Sequence, residues 1–225
     1  MLPENDLSRI HEHSFDRRLK RVLDVVVSAI TLILLSPVIL VVAALLRCQM
    51  GRPVVFRQQR PGYKGGPFYA LKFRSMTDQR DQNGSLLPDA ARITPLGTFL
   101  RRSSLDELPQ FWNVIRGEMS LVGPRPLLMQ YLDRYTPEQA RRHCVPPGIT
   151  GWTQVNGRND LAWEQKLALD VWYVDHWSLA LDLRILAMTV WKVLTGEGIS
   201  AEGSATMPEF TGTENPSSEK SARTP

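Results

Sequence analysis

The pattern of hydrophobic and polar positions is dominated by one uncharged stretch near the start of the chain. Residues 25–46 contain no charged side chain, whereas Lys20, Arg21 and Asp24 precede them and Arg47 follows them. As a helix, this stretch would extend roughly 33 Å, enough to cross the hydrocarbon core of a bilayer. It is longer and begins later than the apolar core of a secretory signal peptide. The pattern therefore predicts a membrane helix.

Two features leave the path of this helix through the membrane open. Pro37 lies near its middle and should kink it, and the hydroxyl of Ser36 can bond to a carbonyl one turn earlier. Basic residues flank both ends, so the positive-inside rule assigns no orientation. Two arrangements fit these features equally: a kinked single span, and a re-entrant helix that enters and leaves through one leaflet.

The rest of the chain alternates short strands with helices. Strands over 53–58 and 68–76, joined by a turn rich in proline and glycine, predict a β-hairpin. The fold class is therefore α+β and mostly helical. The remaining pattern predicts a polar loop at 77–92, a helix that ends at Arg102, a helix at 111–116 that ends at Gly117, an amphipathic helix within 131–143, a strand at 154–157 and helical structure over 161–194.

The last part of the chain divides into an aromatic-rich segment and a polar tail. Residues 161–194 hold four of the six tryptophans, whose rings suit either a core or a membrane interface. An interfacial position is favoured here because the apolar stretch already indicates a membrane. Ser178 is expected to cap the second half of this segment. Residues 201–225 are rich in glycine, serine, threonine, glutamate and proline and are predicted to be disordered.

Composition and charge narrow the set of partners. The chain has 27 Lys and Arg against 23 Asp and Glu, with a pI near 9.3. This basic balance is mild and the arginines lie in separate motifs, so nucleic acid is not predicted as a partner. A membrane surface or a phosphorylated substrate suits the balance. Cys48 and Cys144 lack metal-ligand spacing and are interpreted as reduced thiols of a cytosolic compartment.

The first candidate for chemistry is the pair of adjacent acids, Asp106 and Glu107. With Ser104 they have the form of a capping box, which would give them only a role in starting a helix. Alternatively the helix begins at Pro109, and the acids lie in the turn before it. In both cases nearby free backbone amides should keep the carboxylates ionised, able to attack phosphorus or hold a cation.

The second candidate is Arg125, which stands between Pro124 and Pro126 with Gly123 before them. Proline restricts its own backbone and that of the preceding residue, so this arginine is presented at low entropic cost. A fixed guanidinium suits a bidentate grip on phosphate. Carboxylates, a divalent cation and arginines together suit phosphoryl transfer. Further arginines flank the acids in sequence: Arg101, Arg102 and Arg116.

Two further cations lie in the second predicted strand. Lys72 and Arg74 alternate with Leu71 and Phe73, which puts both cations on one face. That face is either solvated or directed at a phosphate. Because the apolar stretch would bring all of these groups to a membrane surface, the combined pattern indicates a lipid phosphate as a substrate.

Several motifs now make the sequence recognisable. The runs Arg101–Gln110 and Gly117–Pro126 resemble the bacterial sugar transferase family. Its members are the monotopic phosphoglycosyl transferases that start the assembly of O-antigen, capsule, exopolysaccharide and glycoprotein glycans. The resemblance covers residues 15–200. Other stretches look like further family motifs in the family's order: 72–76, 147–152, 154–158 and 169–174.

The resemblance implies a specific reaction. Members of the family move a sugar 1-phosphate from a UDP-sugar to polyprenyl phosphate, usually undecaprenyl phosphate, and release UMP. By this resemblance Asp106 would attack the sugar-bearing phosphate and form a covalent intermediate, and Glu107 with Asp106 would bind Mg²⁺. Arg125 would hold phosphate. The other candidate substrate-binding residues are Lys72, Arg74, Arg101 and Arg158.

The resemblance also implies an architecture. The family's re-entrant helix, broken at a Ser-Pro pair, matches Ser36-Pro37 and favours the re-entrant alternative. The expected protein is monotopic, with interfacial amphipathic helices, on the cytoplasmic face of the bacterial inner membrane. Its expected segments are a polar N-terminus at 1–14, the membrane helix at 15–50, a catalytic domain at 51–200 and the tail at 201–225.

Two other functions compete with this reaction. A membrane-anchored scaffold would use the acids only to start a helix, and a metal-dependent phosphohydrolase would replace the lipid phosphate with water. The residues do not single out a sugar. The chain lacks the multi-span N-terminal region of some larger family members, so a minimal catalytic form is expected, which slightly favours a UDP-N-acetyl sugar. The oligomeric state is not predicted.

Overall fold

The computed structural model describes residues 14–157, 161–195 and 209–212, and Arg158 lies outside them. The described chain is mostly helical with two small sheets, which confirms the α+β class. Its α-helices are α1 Ser14–Leu34, α2 Ser36–Met50, α3 Asp89–Arg92, α4 Pro95–Arg102, α5 Gln110–Arg116, α6 Pro137–Ala140, α7 Trp152–Asn156, α8 Trp163–Asp175 and α9 Leu179–Thr195. Its strands are β1 Val55–Pro61, β2 Pro67–Phe73, β3 Ser120–Val122 and β4 Gly148–Thr150, and its 3₁₀ turns are Tyr63–Gly65, Leu105–Glu107, Met129–Arg134 and Arg141–Cys144.

The apolar stretch forms two helices that meet at the predicted break. Among the described helices none is by itself long and apolar enough to cross a bilayer, but α1 and α2 meet that requirement as a pair bent by 62°. Pro37 lies in the first turn of α2, and Ser36 Oγ donates to the carbonyl of Ile33 at 2.8 Å. The pair exposes a continuous set of large apolar side chains: Val22, Val26, Ile30, Ile33, Leu34, Leu40, Val41 and Leu45.

A buried group of charges holds the first half of α1 against the rest of the protein. Lys20 Nζ lies 2.6 Å from Asp182 Oδ2 on α9 and 3.6 Å from Asp24 Oδ1. Asp182 also accepts from the Tyr173 hydroxyl at 2.7 Å and from Trp177 Nε1 at 3.2 Å. Such a buried pair needs these extra hydrogen bonds to offset its desolvation. They fix α1 relative to α8 and α9.

A second contact ties α1 to the helix that follows the acids. Arg21 donates to the carbonyls of Val114 and Ile115, at 2.6 and 2.8 Å, in the last turn of α5. The last carbonyls of a helix lack partners within the helix, so a cation there satisfies them and offsets the helix dipole. α5 ends at Arg116 and is capped by Gly117, whose φ of 84° is the left-handed conformation predicted for a glycine after a helix.

The predicted hairpin is confirmed with shifted ends. β1 and β2 pair antiparallel from Val55 opposite Phe73 to Pro61 opposite Pro67. β2 ends at Phe73, so Arg74 lies beyond the strand. Directly opposed residues share a face of the sheet, so Phe56, which faces Lys72, lies on the same side as that lysine.

Two close backbone contacts shape the chain on either side of the acids. β3 and β4 pair parallel, and a Cβ at Gly148 would lie 2.1 Å from the amide nitrogen of Gly123. A Cβ at Gly97, in α4, would lie 1.9 Å from the carbonyl oxygen of Ser75. Only glycine permits these approaches, which bring the Gly123–Pro126 loop and α4 close to their neighbours.

Three sequence predictions are wrong in detail. The helix predicted within 131–143 is broken, because Pro137 starts α6 behind a capping box made by Thr136 and Gln139. The predicted strand at 154–157 is instead the end of helix α7, Trp152–Asn156, because a segment this short has no periodicity that separates the two structures. The predicted loop at 77–92 contains a β-bridge and α3.

The helical segment 161–194 is confirmed as α8 and α9, and Ser178 Oγ accepts from the Leu181 amide at 3.1 Å as expected of a cap. Two of its tryptophans pack against the core and two are exposed. Trp163 and Trp177 pack against the core, so the interfacial prediction fails for them. Trp191 is 64% exposed on α9, and Trp172 is 37% exposed and stacked on Trp152.

Part of the predicted disordered tail is packed. Phe210 is 1% exposed and contacts the rings of Tyr131, Tyr135 and Trp163. Its amide donates to the Tyr131 hydroxyl at 3.2 Å. For residues 209–212, therefore, one aromatic anchor overcomes a composition that otherwise favours disorder.

The charge group around Lys20 predicts a measurable loss of stability. Lys20→Met would leave Asp24 and Asp182 buried without their cation, and we expect it to lower the free energy of unfolding by about 3–5 kcal/mol. Arg18→Met, at an exposed position on the same helix, should change it by less than about 0.5 kcal/mol. Denaturant unfolding of the detergent-solubilised protein measures both, and equal stability of the two variants would contradict the role given to Lys20.

Candidate active site

The acid pair lies in a tight turn and does not form a capping box. Ser104 has a φ of 56° and its side chain makes no capping bond, which rules out that alternative. Leu105–Glu107 form a 3₁₀ turn, Pro109 is the N-cap of α5, and the helix begins one residue later at Gln110. The second alternative, with the acids in the turn before the helix, is therefore correct.

Glu107 is held by two cations from different parts of the chain. Lys72 Nζ from β2 and Arg125 Nη2 from the Gly123–Pro126 loop both lie 2.6 Å from its Oε1. Burial alone would raise the pKa of Glu107, but the charges of Arg125 and Lys72 outweigh it and lower that pKa from 4.5 to about 2. Glu107 is therefore a permanent anion at physiological pH.

Asp106 has a different environment. Asp106 is 7% exposed, and its Oδ2 lies 3.8 Å from Lys72 Nζ. Burial raises the pKa of Asp106, the charge of Glu107 raises it further, and Lys72, Arg125 and Arg101 oppose the rise. The expected cause of ionisation, free backbone amides, is thus not the one found for either acid. A buried carboxylate that few donors stabilise is a suitable nucleophile, since little hydration must be removed before it attacks.

The other arginines predicted to serve the site divide into two groups. Arg101 Nε donates to Ser75 Oγ at 2.9 Å, and its charge acts on Asp106, so it lies beside the acids. Arg74 instead donates to the carbonyls of Met76 and Met50 and pairs with Asp78 at 2.7 Å. The structure does not bring Arg74 to the acid pair, because β2 ends before it and it ties the end of α2 to the following segment.

A buried ion pair fixes the backbone of Arg125. Arg142, 1% exposed at its side chain, lies 2.6 Å from Asp170 Oδ2 on α8 and donates to the carbonyl of Arg125 at 2.7 Å. Thr153 Oγ1 donates to the other carboxylate oxygen of Asp170. Asp170 belongs to one of the recognised motifs, but nothing in the sequence indicated that it positions Arg125 through Arg142.

A cavity of about 90 Å³, several times the volume that one water needs, is lined by Lys72 and Arg125, the two cations that contact Glu107. Its polar wall consists of Gln58, Arg60, Lys72, Gln110 and Arg125, and its apolar wall of Phe56, Ala70, Pro126 and Leu127. Arg60 was missed from the sequence. The alternation of β1 would have found it, because Phe56, Gln58 and Arg60 share the face of the hairpin that carries Lys72.

The acid pair is also the part of the described chain that fits a divalent cation. No group of three or more His, Cys, Asp or Glu side chains with metal-binding geometry occurs in the described ranges. Mg²⁺, however, is commonly held by one or two carboxylates together with substrate phosphates and water. Lys72 and Arg125 both donate to Oε1 of Glu107 and neither donates to Oε2. Glu107 Oε2 and the Asp106 carboxylate thus suit such a site.

The acid turn, the proline-flanked arginine and the bent helix pair all lie in a stretch of sequence that matches a known family. A model of the bacterial sugar transferase family matches residues 15–196. The chain belongs to that family. The resemblance seen in the sequence is thereby confirmed over nearly its whole range.

The relatives of this sugar transferase differ in length. It is 54% identical over 200 residues to the uncharacterized sugar transferase EpsL of Bacillus subtilis, covering 89% of this chain and 99% of that one. It is 43% identical over 183 residues to the UDP-glucose:undecaprenyl-phosphate glucose-1-phosphate transferase of Klebsiella pneumoniae, covering 77% of this chain and 39% of that one. A protein of the same name from Caulobacter vibrioides is 41% identical over 191 residues, with 78% and 70% covered. The chain spans less than half of the Klebsiella relative.

The low pKa of Glu107 predicts a pH-dependent stability in this sugar transferase. A carboxylate whose pKa is lowered by folding stabilises the protein above its unfolded pKa of 4.5 and loses that effect as the pH falls to about 2. The shift corresponds to at most about 3 kcal/mol, since water screens the half-exposed Arg125. We expect the difference in unfolding free energy between the wild type and Glu107→Gln to narrow by up to this amount between pH 5 and about 2.

Denaturant unfolding at a series of pH values measures this difference. Glu138→Gln is the matched control, because Glu138 forms an ion pair with Arg141 but its side chain is 66% exposed. Its effect should stay within about 0.5 kcal/mol at every pH. A difference for Glu107→Gln that does not change with pH would contradict the assignment of Glu107 as an ionised, paired acid.

Proposed function

We propose that the protein transfers a sugar 1-phosphate from a UDP-sugar to polyprenyl phosphate and releases UMP. The observation that carries this proposal is the buried Asp106 beside Glu107, whose two cations, Lys72 and Arg125, also line a cavity of about 90 Å³. Family relatives named as UDP-glucose:undecaprenyl-phosphate glucose-1-phosphate transferases support the same reaction. It would be the first membrane step in the assembly of a glycan.

In the first half-reaction, a carboxylate oxygen of Asp106 attacks the phosphorus that carries the sugar. The bond from that phosphorus to the bridging oxygen of the diphosphate breaks, and UMP leaves with the electron pair. In the second, an oxygen of the lipid phosphate attacks the same phosphorus. The bond to Asp106 breaks, its electron pair returns to the carboxylate, and a lipid diphosphate sugar is formed. Lys72, Arg101 and Arg125 stabilise the negative charge during both steps.

We also propose that the enzyme uses Mg²⁺, held by Glu107 and Asp106. When bound, the ion would neutralise charge on the diphosphate. The free Oε2 of Glu107 supports this assignment, and so does the double ion pair on Oε1, which fixes the carboxylate in place.

For the membrane, we propose a re-entrant arrangement on the cytoplasmic face of the inner membrane. The 62° bend at Ser36-Pro37 supports it, because a sharply bent pair is poorly suited to a single span. Basic residues at both ends also favour two ends on the cytoplasmic side. α9 exposes Leu183, Val190, Trp191 and Leu194, which suits a helix lying in the membrane interface.

The proposed reaction predicts a dependence on Asp106. With Mg²⁺ and undecaprenyl phosphate, wild-type protein should release UMP from at least one UDP-sugar, and Asp106→Asn should reduce that rate by at least about 10³-fold, because the amide cannot act as the nucleophile. A panel of UDP-sugars is tested. It begins with UDP-glucose, which the named relatives use, and includes UDP-N-acetylglucosamine, because the sequence slightly favours a UDP-N-acetyl sugar. Asp78→Asn, which changes an exposed acid, should keep the wild-type rate.

The same assay separates the competing functions. Mass spectrometry of the wild type after incubation with the active UDP-sugar alone should show the added sugar phosphate, and Asp106→Asn should lack it. Multiple turnovers without lipid would indicate a phosphohydrolase instead. Full activity of Asp106→Asn would refute the nucleophile, and no turnover or nucleotide binding on the whole panel would favour a scaffold.

The re-entrant arrangement predicts the labelling of its two ends. Native Cys48 is exposed at the end of α2, and Arg18→Cys would place a thiol near the start of α1. Both should react with a membrane-impermeant maleimide in inside-out vesicles, and neither in right-side-out vesicles. Arg18→Cys in a Cys48→Ser background reports on the first end alone. If the two ends react from opposite sides, the helix pair is a kinked span.

A further inference from the structure

Arg60 is a cation of the cavity that the proposed mechanism does not use. Its guanidinium donates to Gln58 Oε1 at 2.6 Å, and no ion pair between Arg60 and an acid occurs among the described residues. Burial and, to a smaller extent, the like charge of Arg125 lower the pKa of Arg60 from 12.5 to about 10. Holding two guanidinium groups beside one small cavity is unfavourable in the absence of an anion.

The charges around the cavity do not balance without a ligand. Asp106 and Glu107 carry two negative charges, and their ion pairs with Lys72 and Arg125 balance two of the three cations in the wall. Arg60 remains, and a neutral amide is its hydrogen-bond partner. An anion in the cavity would offset the repulsion between the Arg60 and Arg125 guanidinium groups. A phosphate group matches a guanidinium in both charge and geometry.

The reaction itself supplies two phosphates of the same kind. In phosphoryl transfer the attacking and leaving oxygens lie roughly in line through the phosphorus. UMP leaves opposite Asp106 in the first half-reaction, and the lipid phosphate must attack opposite Asp106 in the second. The phosphate of UMP and that of the lipid therefore occupy the same position in turn.

We propose that Arg60 binds the phosphate that leaves with UMP and then the phosphate of the incoming lipid, in the cavity that it lines together with Lys72 and Arg125. This inference rests on the proposed transferase reaction. One cation serves both half-reactions because both present a phosphate monoester at one place. The first bond that breaks is that between the sugar-bearing phosphorus and the UMP oxygen, and the bond that later forms joins the same phosphorus to an oxygen of the lipid phosphate.

The direct test compares the binding of UMP and of uridine, which differ by the phosphate. In the wild type in nanodiscs, UMP should bind more tightly than uridine. Arg60→Gln should reduce this preference by about 10- to 100-fold, the usual effect of losing a charge-assisted hydrogen bond, and leave uridine binding unchanged. A loss of folding would weaken both ligands equally. Arg60→Lys should keep part of the preference.

Arg57→Gln is the matched control. Arg57 lies on the same strand with the same charge, but strand alternation puts it on the other face, where its guanidinium lies 5.0 Å from the centre of the Tyr69 ring. It should keep the preference for UMP. Equal preferences in Arg60→Gln and Arg57→Gln would overturn the role of Arg60, as would a wild type that does not distinguish UMP from uridine.

Kinetics of the two half-reactions distinguish the two phosphates. Arg60→Gln should lower kcat/KM both for the formation of the covalent intermediate from the UDP-sugar and for its discharge by undecaprenyl phosphate. A defect in only one of them would overturn the shared position. These outcomes are separate from the test of the proposed function, which is acceptor-dependent UMP release and its loss in Asp106→Asn.

Discussion

The double ion pair on Glu107 is the interaction on which the geometry of the site depends. It joins three segments that are distant in sequence: the hairpin through Lys72, the acid turn, and the loop that carries Arg125. Removing one partner of such a group leaves buried charge without compensation, so the three segments are strongly held in one arrangement. Asp106 is placed by this arrangement as much as by its own contacts, since Lys72 serves both acids.

Each cation of this ion pair is in turn positioned by a buried polar network. Asn113, 1% exposed on α5, accepts from the amide of Leu71 and donates to the carbonyl of Tyr69. These two bonds fix β2 just before Lys72. The Arg142–Asp170 pair does the equivalent for the carbonyl of Arg125. Networks that are fully satisfied in this way are rigid, which a site needs if it is to hold a phosphate at a fixed place.

Local signals in the sequence predicted much of the fold. The break at Ser36-Pro37 and the glycine at the end of α5 could be read because their effects act within one turn of helix. The acids and Arg125 could also be recognised locally, because the acids are adjacent in sequence and Arg125 stands between two prolines. The Arg142–Asp170 pair was not recognised, because its role exists only once residues far apart in sequence come together. The burial of Phe210 against Tyr131 was missed for that reason too.

The acid turn is also tied to the bent helix pair α1 and α2. Leu105 and Leu108 flank the acids and pack in one cluster with Val42 and Leu46 of α2. α1 reaches the other end of the same region through Arg21, which caps α5. Because the acids lie between these contacts, the distance from the carboxylates to the helix pair is fixed by packing and not by a flexible linker. In the proposed reaction this matters most for the second half-reaction, whose substrate is held in the bilayer by its lipid chain and must meet an intermediate that is bound to Asp106.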